Sequence, residues 1–139
     1  MKKFYKLKLD DGGRNKSKRP SQINDCVVRT FSIVSGLPYD EVYDTMAKAG
    51  RKPSDGFHSS AWLMRRRGKE VFGGFFNRID VKNTTAMTFP EKYPIGRFVL
   101  ETDGHTWAVI NGVAHDLWRI KPQTKKLVGG WQYIKNEQN

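Results

Sequence analysis

The chain contains one cysteine, Cys26, and three histidines, His58, His105 and His115. A lone cysteine cannot close an internal disulfide, and without companion thiols it cannot build a thiolate zinc site. It is left with two uses, as a small buried apolar residue or as a nucleophile. Asn24 and Asp25 are residue types that head helices, and Val27, Val28, Phe31, Ile33 and Val34 behind them cover a helical face, so Cys26 falls in a first turn. There the unpaired amide N–H groups and the positive end of the helix dipole favour thiolate over thiol. A thiolate that attacks a carbonyl also needs a proton carrier, and an imidazole oriented by a carboxylate is the usual one.

The strongest short hairpin signal, Asn111-Gly112, decides which imidazole and which carboxylate qualify. With these two as the loop, Ile110 faces Val113, Trp107 faces Asp116 and His105 faces Trp118. Side chains alternate along a strand, so His105, Trp107, Asp116 and Trp118 share one face, and Thr106, Ala108, His115 and Leu117 share the other. His105 and Asp116 become diagonal neighbours, roughly 7–8 Å apart at the backbone and within side-chain reach. His115 points away, and His58 belongs to the start of a third helix. Trp107 and Trp118 would line a substrate groove on the His105 face, while Trp62 and Trp131 read as core.

The elements that must hold these residues follow from punctuation and periodicity. A first helix runs from about Cys26 to Ser35 and stops at Gly36, with Pro38 forbidding continuation. A second opens at Asp40, buries Val42, Tyr43, Met46, Ala47 and Ala49, and ends at Gly50; a third runs from Ser59 to Arg67, closed by Gly68. The pattern then changes to a short apolar run, 71–76, broken by Gly73-Gly74, a polar stretch at 83–85, and an approach marked by Pro90 and Pro94. Strands follow at 97–101, 105–110, 113–118 and 130–134. Residues 1–9 alternate as a short edge strand, 10–20 read as a mobile basic loop within a basic N-terminal segment 1–20, and 135–139 form a polar tail. Helices first and an antiparallel sheet afterwards make an α+β domain, and 139 residues with 37% hydrophobic content make the whole chain one domain.

Asn24-Asp25-Cys26 heading the first helix, Gly104-His105 opening a late strand and Asp116 on the next together resemble the papain-like cysteine peptidase fold. In size and pattern the chain is nearest to the small peptidase domains that trim leader peptides in bacteriocin exporters, and to compact relatives in bacteriophage genomes. The resemblance spans about 21–118. It implies N-terminal helices packed on a C-terminal antiparallel sheet, with Cys26 as nucleophile, His105 as general base and acid, and Asp116 as the orienting residue. By the same likeness Gln22 would lend its amide to an oxyanion hole beside the Cys26 N–H. The family's glutamine usually stands further upstream, which leaves Asn24 as a rival donor. Val27 follows the cysteine where the family usually has a small residue. The chemistry calls for no cofactor and no metal.

Lys and Arg number 25 against 14 Asp and Glu, a net charge of +11, which points to a negative partner such as nucleic acid, an acidic protein or a membrane surface. Lys16, Lys18 and Arg19 beside the cysteine, and Arg65, Arg66, Arg67 and Lys69 at the end of the third helix, are the candidate contacts. The first group would also gather an acidic peptide substrate. No run of about 18 apolar residues exists and residues 1–9 lack an apolar signal segment, which points to a soluble protein made and used in a cytoplasm. Three functions fit: a thiol hydrolase acting on peptides or amides, an idle relative of that fold that binds nucleic acid or an acidic host protein, and an acyl transferase that uses an amine in place of water.

Overall fold

The computed structural model describes residues 5–120 and 124–137. The first four residues of the expected N-terminal strand and the last two of the polar tail lie outside the described residues. Six strands, β1 (Leu7–Leu9), β2 (Gly74–Arg78), β3 (Arg97–Thr102), β4 (His105–Ile110), β5 (Val113–Asp116) and β6 (Gly129–Lys135), form one mixed sheet in the order β1-β5-β4-β3-β6-β2. The helices are α1 (Cys26–Ser35), α2 (Tyr39–Lys48), α3 (Ser59–Met64) and α4 (Phe89–Lys92). The class is α+β. No helix among the described residues is long and apolar enough to cross a membrane.

The two elements that matter most for chemistry lie where their punctuation puts them. Gly36, at φ 76°, stops α1 and its N–H closes the last turn on the Ser32 carbonyl at 2.9 Å. Asn111 and Gly112 both take positive φ, 47° and 80°, the conformation of a two-residue hairpin turn, and Ile110 pairs with Val113 as the alternation requires.

The sheet has a core on each side, and the alternation of β3 and β4 sorts the residues between them. Val99 and Ala108 face Val28, Phe31, Val34, Met46 and Trp62 of the helices, while Phe98, Leu100, Trp107 and Val109 face Phe89, Ala114 and Leu127. Phe31 is fully buried, packed edge-on to Phe76 at 5.5 Å between ring centres. Deleting such a ring leaves a cavity costing about 3–5 kcal/mol.

Several expectations are corrected. The sheet is not purely antiparallel and C-terminal: β1 pairs in parallel with β5, Leu7 opposite Ala114, because the N-terminal segment is brought back along the open edge of the hairpin. β2 forms the other edge, antiparallel to β6, and Lys135 of the expected tail belongs to β6. α3 ends at Met64, and Arg65–Arg67 continue as turns in which the Arg66 guanidinium folds back to the Trp62 carbonyl at 3.1 Å. β5 ends at Asp116 rather than Trp118, because the Asp116 carboxylate accepts the Leu117 N–H at 2.8 Å and turns the chain out of the ladder. The proline-marked stretch holds α4, with Pro90 in its first turn where no amide hydrogen bond is lost. The 10–20 loop is tethered: Ser32 Oγ donates to the Gly12 carbonyl at 3.0 Å, and Arg19 holds Asp40 at 2.7 Å and Asp44 at 2.8 Å on α2.

Candidate active site

Cys26 is the first residue of α1, and His105 is the first residue of β4. The helix crosses the strand close to that end, where Thr30 Oγ1 donates to the Thr106 carbonyl at 3.3 Å. The half-buried thiol therefore shares one cleft with the His105 imidazole, and the imidazole and the Thr106 backbone N–H both act on the sulfur. His105 Nε2 lies 2.6 Å from Asp116 Oδ2. With Nε2 taken by the carboxylate, Nδ1 is the ring nitrogen left for the thiol. Imidazole and carboxylate thus form a hydrogen-bonded pair at the end of the sheet, in the cleft that also holds the sulfur.

Burial alone would push the Cys26 thiol up, but the His105 hydrogen bond and charge, the Thr106 N–H and the Arg29 guanidinium outweigh it and hold the thiol below its ordinary value. His105 is the mirror case. Burial would push it down, yet the hydrogen bonds and charges of Asp116 and Cys26 raise it from 6.5 to about 9. Both shifts run in the direction that favours a thiolate–imidazolium pair. The imidazole is further held by ring stacking, with Trp107 at 6.0 Å and an interplanar angle of 9°, and with Trp118 at 5.3 Å and 28°.

Behind the carboxylate lies a network that the spacing rules miss. Asp116 is 2% exposed, and its second oxygen, Oδ1, accepts Arg29 Nη1 at 2.9 Å as well as the Leu117 N–H. Arg29 Nε in turn reaches Asp25 Oδ1 at 3.0 Å. Asp25 also accepts Arg14 Nη1 at 3.1 Å and the Tyr39 hydroxyl at 2.7 Å. Burial works against the Arg29 charge, but Asp25 and Asp116 hold the guanidinium above its usual range. Burial and the adjacent Asp25 push the Tyr39 hydroxyl up, keeping it protonated as a donor. The one signal in the sequence was an arginine inside an apolar helical run, four residues after an aspartate.

Asp25 does occupy the cap position of α1, but its side chain makes no capping bond to the first-turn amides. The Cys26 N–H precedes the first intrahelical bond, Arg29 N–H to the Asp25 carbonyl, at the end of α1 that borders the cleft. Neither side chain expected to join it is held toward the sulfur by a hydrogen bond. Gln22 Oε1 accepts Arg51 Nη2 at 3.0 Å and the Ser54 N–H, clamping the 51–54 turn, and Gln22 does not line the cleft at Cys26. Asn24 lines the cleft at φ 53°, with Nδ2 donating to the Ser54 carbonyl at 3.0 Å. Val27 faces the core at 2% exposure and does not narrow the site.

The cleft at Cys26 has a volume of about 560 Å³ and is lined by Arg14, Ile23, Arg29, His105, Leu117 and Trp118, among others. Trp118, 51% exposed, and Ile23, 58% exposed, form its apolar rim. Trp107 is corrected: it is 2% exposed, because its place on β4 sends the indole into the outer core, so it backs the imidazole and does not line the groove. His115 points to the other side of the hairpin and pairs with Asp10 at 3.0 Å, and His58 precedes α3. Of the basic residues, Arg19 is paired with Asp40 and Asp44 and lies over the Tyr43 ring at 3.9 Å, and Arg66 lies over Trp62 at 4.1 Å. Lys16, Lys18, Arg65, Arg67 and Lys69 are exposed. Among the described residues no group of three or more His, Cys, Asp or Glu side chains is placed to hold a metal ion. No protein-family model, curated protein or solved structure matches this chain.

Proposed function

We propose that this protein is a thiol-dependent hydrolase, a small papain-like cysteine peptidase or amidase working through Cys26, His105 and Asp116. The observation that carries the reading is the 2.6 Å contact between Asp116 and His105 Nε2, which leaves Nδ1 for the thiol that opens α1 in the same cleft. In this mechanism the Cys26 thiolate adds to the substrate carbonyl carbon, and the oxyanion forms beside the amides of the first α1 turn. The imidazolium gives its Nδ1 proton to the departing amine, leaving an acyl-thioester on Cys26. His105 then takes a proton from water as the water attacks the thioester, and returns it to the sulfur as the acid product leaves. Asp116 holds one tautomer and one ring orientation throughout.

The substrate assigned by this reading is a peptide or amide presented across the Ile23–Trp118 rim. A cytoplasm suits such a protein, since a reducing compartment keeps the thiol free. Papain-like architecture is supported by the order of elements, with the cysteine opening the first main helix and the histidine opening a later strand of the sheet.

The test is a fluorogenic peptide library incubated with the native chain and with the Cys26→Ala and His105→Ala variants. Cleavage by the native chain that both variants lose supports hydrolysis. A product heavier by an added amine identifies acyl transfer. No cleavage at all, together with salt-sensitive retention on a polyanion that survives Cys26→Ala, identifies the binding-protein reading, for which Lys16, Lys18, Arg65 and Arg67 are the exposed contacts.

A further inference from the structure

Arg29 does more in this fold than its helical position requires. It sits three residues after Cys26 on α1, 3% exposed, yet its guanidinium bonds a carboxylate 87 positions away on β5. We infer that Arg29 is a positioning residue for the thiol–imidazole–carboxylate chain, coupling the helix that carries the sulfur to the strand that carries Asp116; the inference rests on the hydrolase reading above.

Three observations carry it. First, Asp116 Oδ1 receives both Arg29 Nη1 at 2.9 Å and the Leu117 N–H at 2.8 Å, so the carboxylate cannot rotate and Oδ2 is the oxygen presented to His105. Second, the guanidinium is itself fixed: Nε is held by Asp25, the Trp118 ring lies 5.5 Å from its carbon, and Gly12 packs against its backbone. Third, the charges alternate. Asp25, faced by Arg14 and Tyr39, brackets Arg29 on one side, and Asp116 brackets it on the other.

The chemical consequence concerns how tightly the proton is held. A buried carboxylate facing an imidazolium alone would grip it and slow proton delivery to the leaving amine. Sharing that carboxylate with a second cation loosens the grip, while the same cation stands close enough to favour the thiolate. Arginine suits the task because its planar fork reaches two carboxylates from separate nitrogens, which a lysine ammonium cannot do in the same geometry. A buried ion pair is by itself weak evidence of stabilisation, so the role must be read from titration and not from a melting point.

Two full-length variants test it, Arg29→Lys and the charge-balanced pair Asp25→Asn with Arg29→Met. The measurements are the pH profile of Cys26 alkylation by iodoacetamide and the titration of the His105 ring by NMR. Below the thiol midpoint, alkylation of the paired variant should fall by about tenfold, one unit of midpoint shift, with the imidazole midpoint moving up and Arg29→Lys lying between. Profiles that overlay the native one overturn the assignment. So does loss of cooperative unfolding in both variants, which would make Arg29 a structural residue. A native chain that alkylates with an ordinary thiol midpoint, unchanged by His105→Ala, overturns the hydrolase reading as well; a depressed native midpoint that the Arg29 variants retain overturns the Arg29 role alone.

Discussion

Asp25 Oδ1 and Arg29 Nε lie 3.0 Å apart across one helical turn, so the carboxylate at the head of α1 bonds forward to a side chain and leaves the first-turn amides uncapped. The same oxygen takes Arg14, and the other takes Tyr39. An ordinary cap replaced by alanine costs about 1 kcal/mol, whereas removing one member of a buried pair costs about 3–5 kcal/mol because the other charge is left uncompensated. Asp25→Ala should therefore lose stability on the larger scale, read as the shift in urea unfolding.

The ion pair sets a pH window for the proposed chemistry. Thiolate and imidazolium coexist between the lowered Cys26 value and about 9 for His105, so acylation should rise as pH passes through the Cys26 value and fall as pH rises through about 9, where the acid is lost. The linked stability has a definite sign. A histidine raised from 6.5 to about 9 contributes stability that is present in full below 6.5 and is lost as pH climbs through about 9. The unfolding free-energy gap between the native chain and His105→Gln should be widest below pH 6.5 and narrow toward pH 9. A gap that widened over that interval would contradict the assignment.

The two tryptophans stacked on His105 should respond differently to truncation. Trp107 is buried in the outer core, and Trp107→Ala should cost about 3–5 kcal/mol in denaturant unfolding. Trp118 is half exposed at the cleft, so Trp118→Ala should cost far less stability and act mainly by raising KM for peptides with a bulky apolar residue beside the scissile bond. Steady-state kinetics paired with unfolding curves separate the two effects.

Gly12 should resist substitution. Its φ is +67°, and a Cβ there would stand 2.9 Å from the Arg29 Cα, a backbone atom that cannot swing aside. Gly12→Ala should destabilise by more than about 1 kcal/mol and disturb the thiol profile, since the displaced segment is the one carrying Arg14 to Asp25. Parallel unfolding and alkylation curves check both effects.

How much of the site was legible can be followed residue by residue. The turn at Asn111-Gly112 set the register of β4 and β5, and strand alternation then placed His105, Trp107 and Asp116 on one face, as the 2.6 Å bond shows, while Trp118 stacks on His105 from the bend that follows β5. Helix start and stop residues delivered Cys26 to the first turn of α1. Alternation could not say which tryptophan would be covered, because that depends on the outer layer from α4 and the strand-flanking loops, distant in sequence. Gln22 was read from a spacing, and the 51–54 turn that engages it cannot be seen from residues 21–29.

Periodicity, turn residues and caps are short-range preferences, so the chain by itself determined an α+β class, the limits of α1, the hairpin and the shared face of histidine and aspartate. Closure of the fold decided the rest: the parallel strand at the edge, the partners of Gln22, and the Asp25–Arg29–Asp116 relay behind the imidazole. Those contacts join segments separated by long stretches of chain. A buried charge takes whichever partner packing brings within reach, and no local preference along the chain records which one that will be.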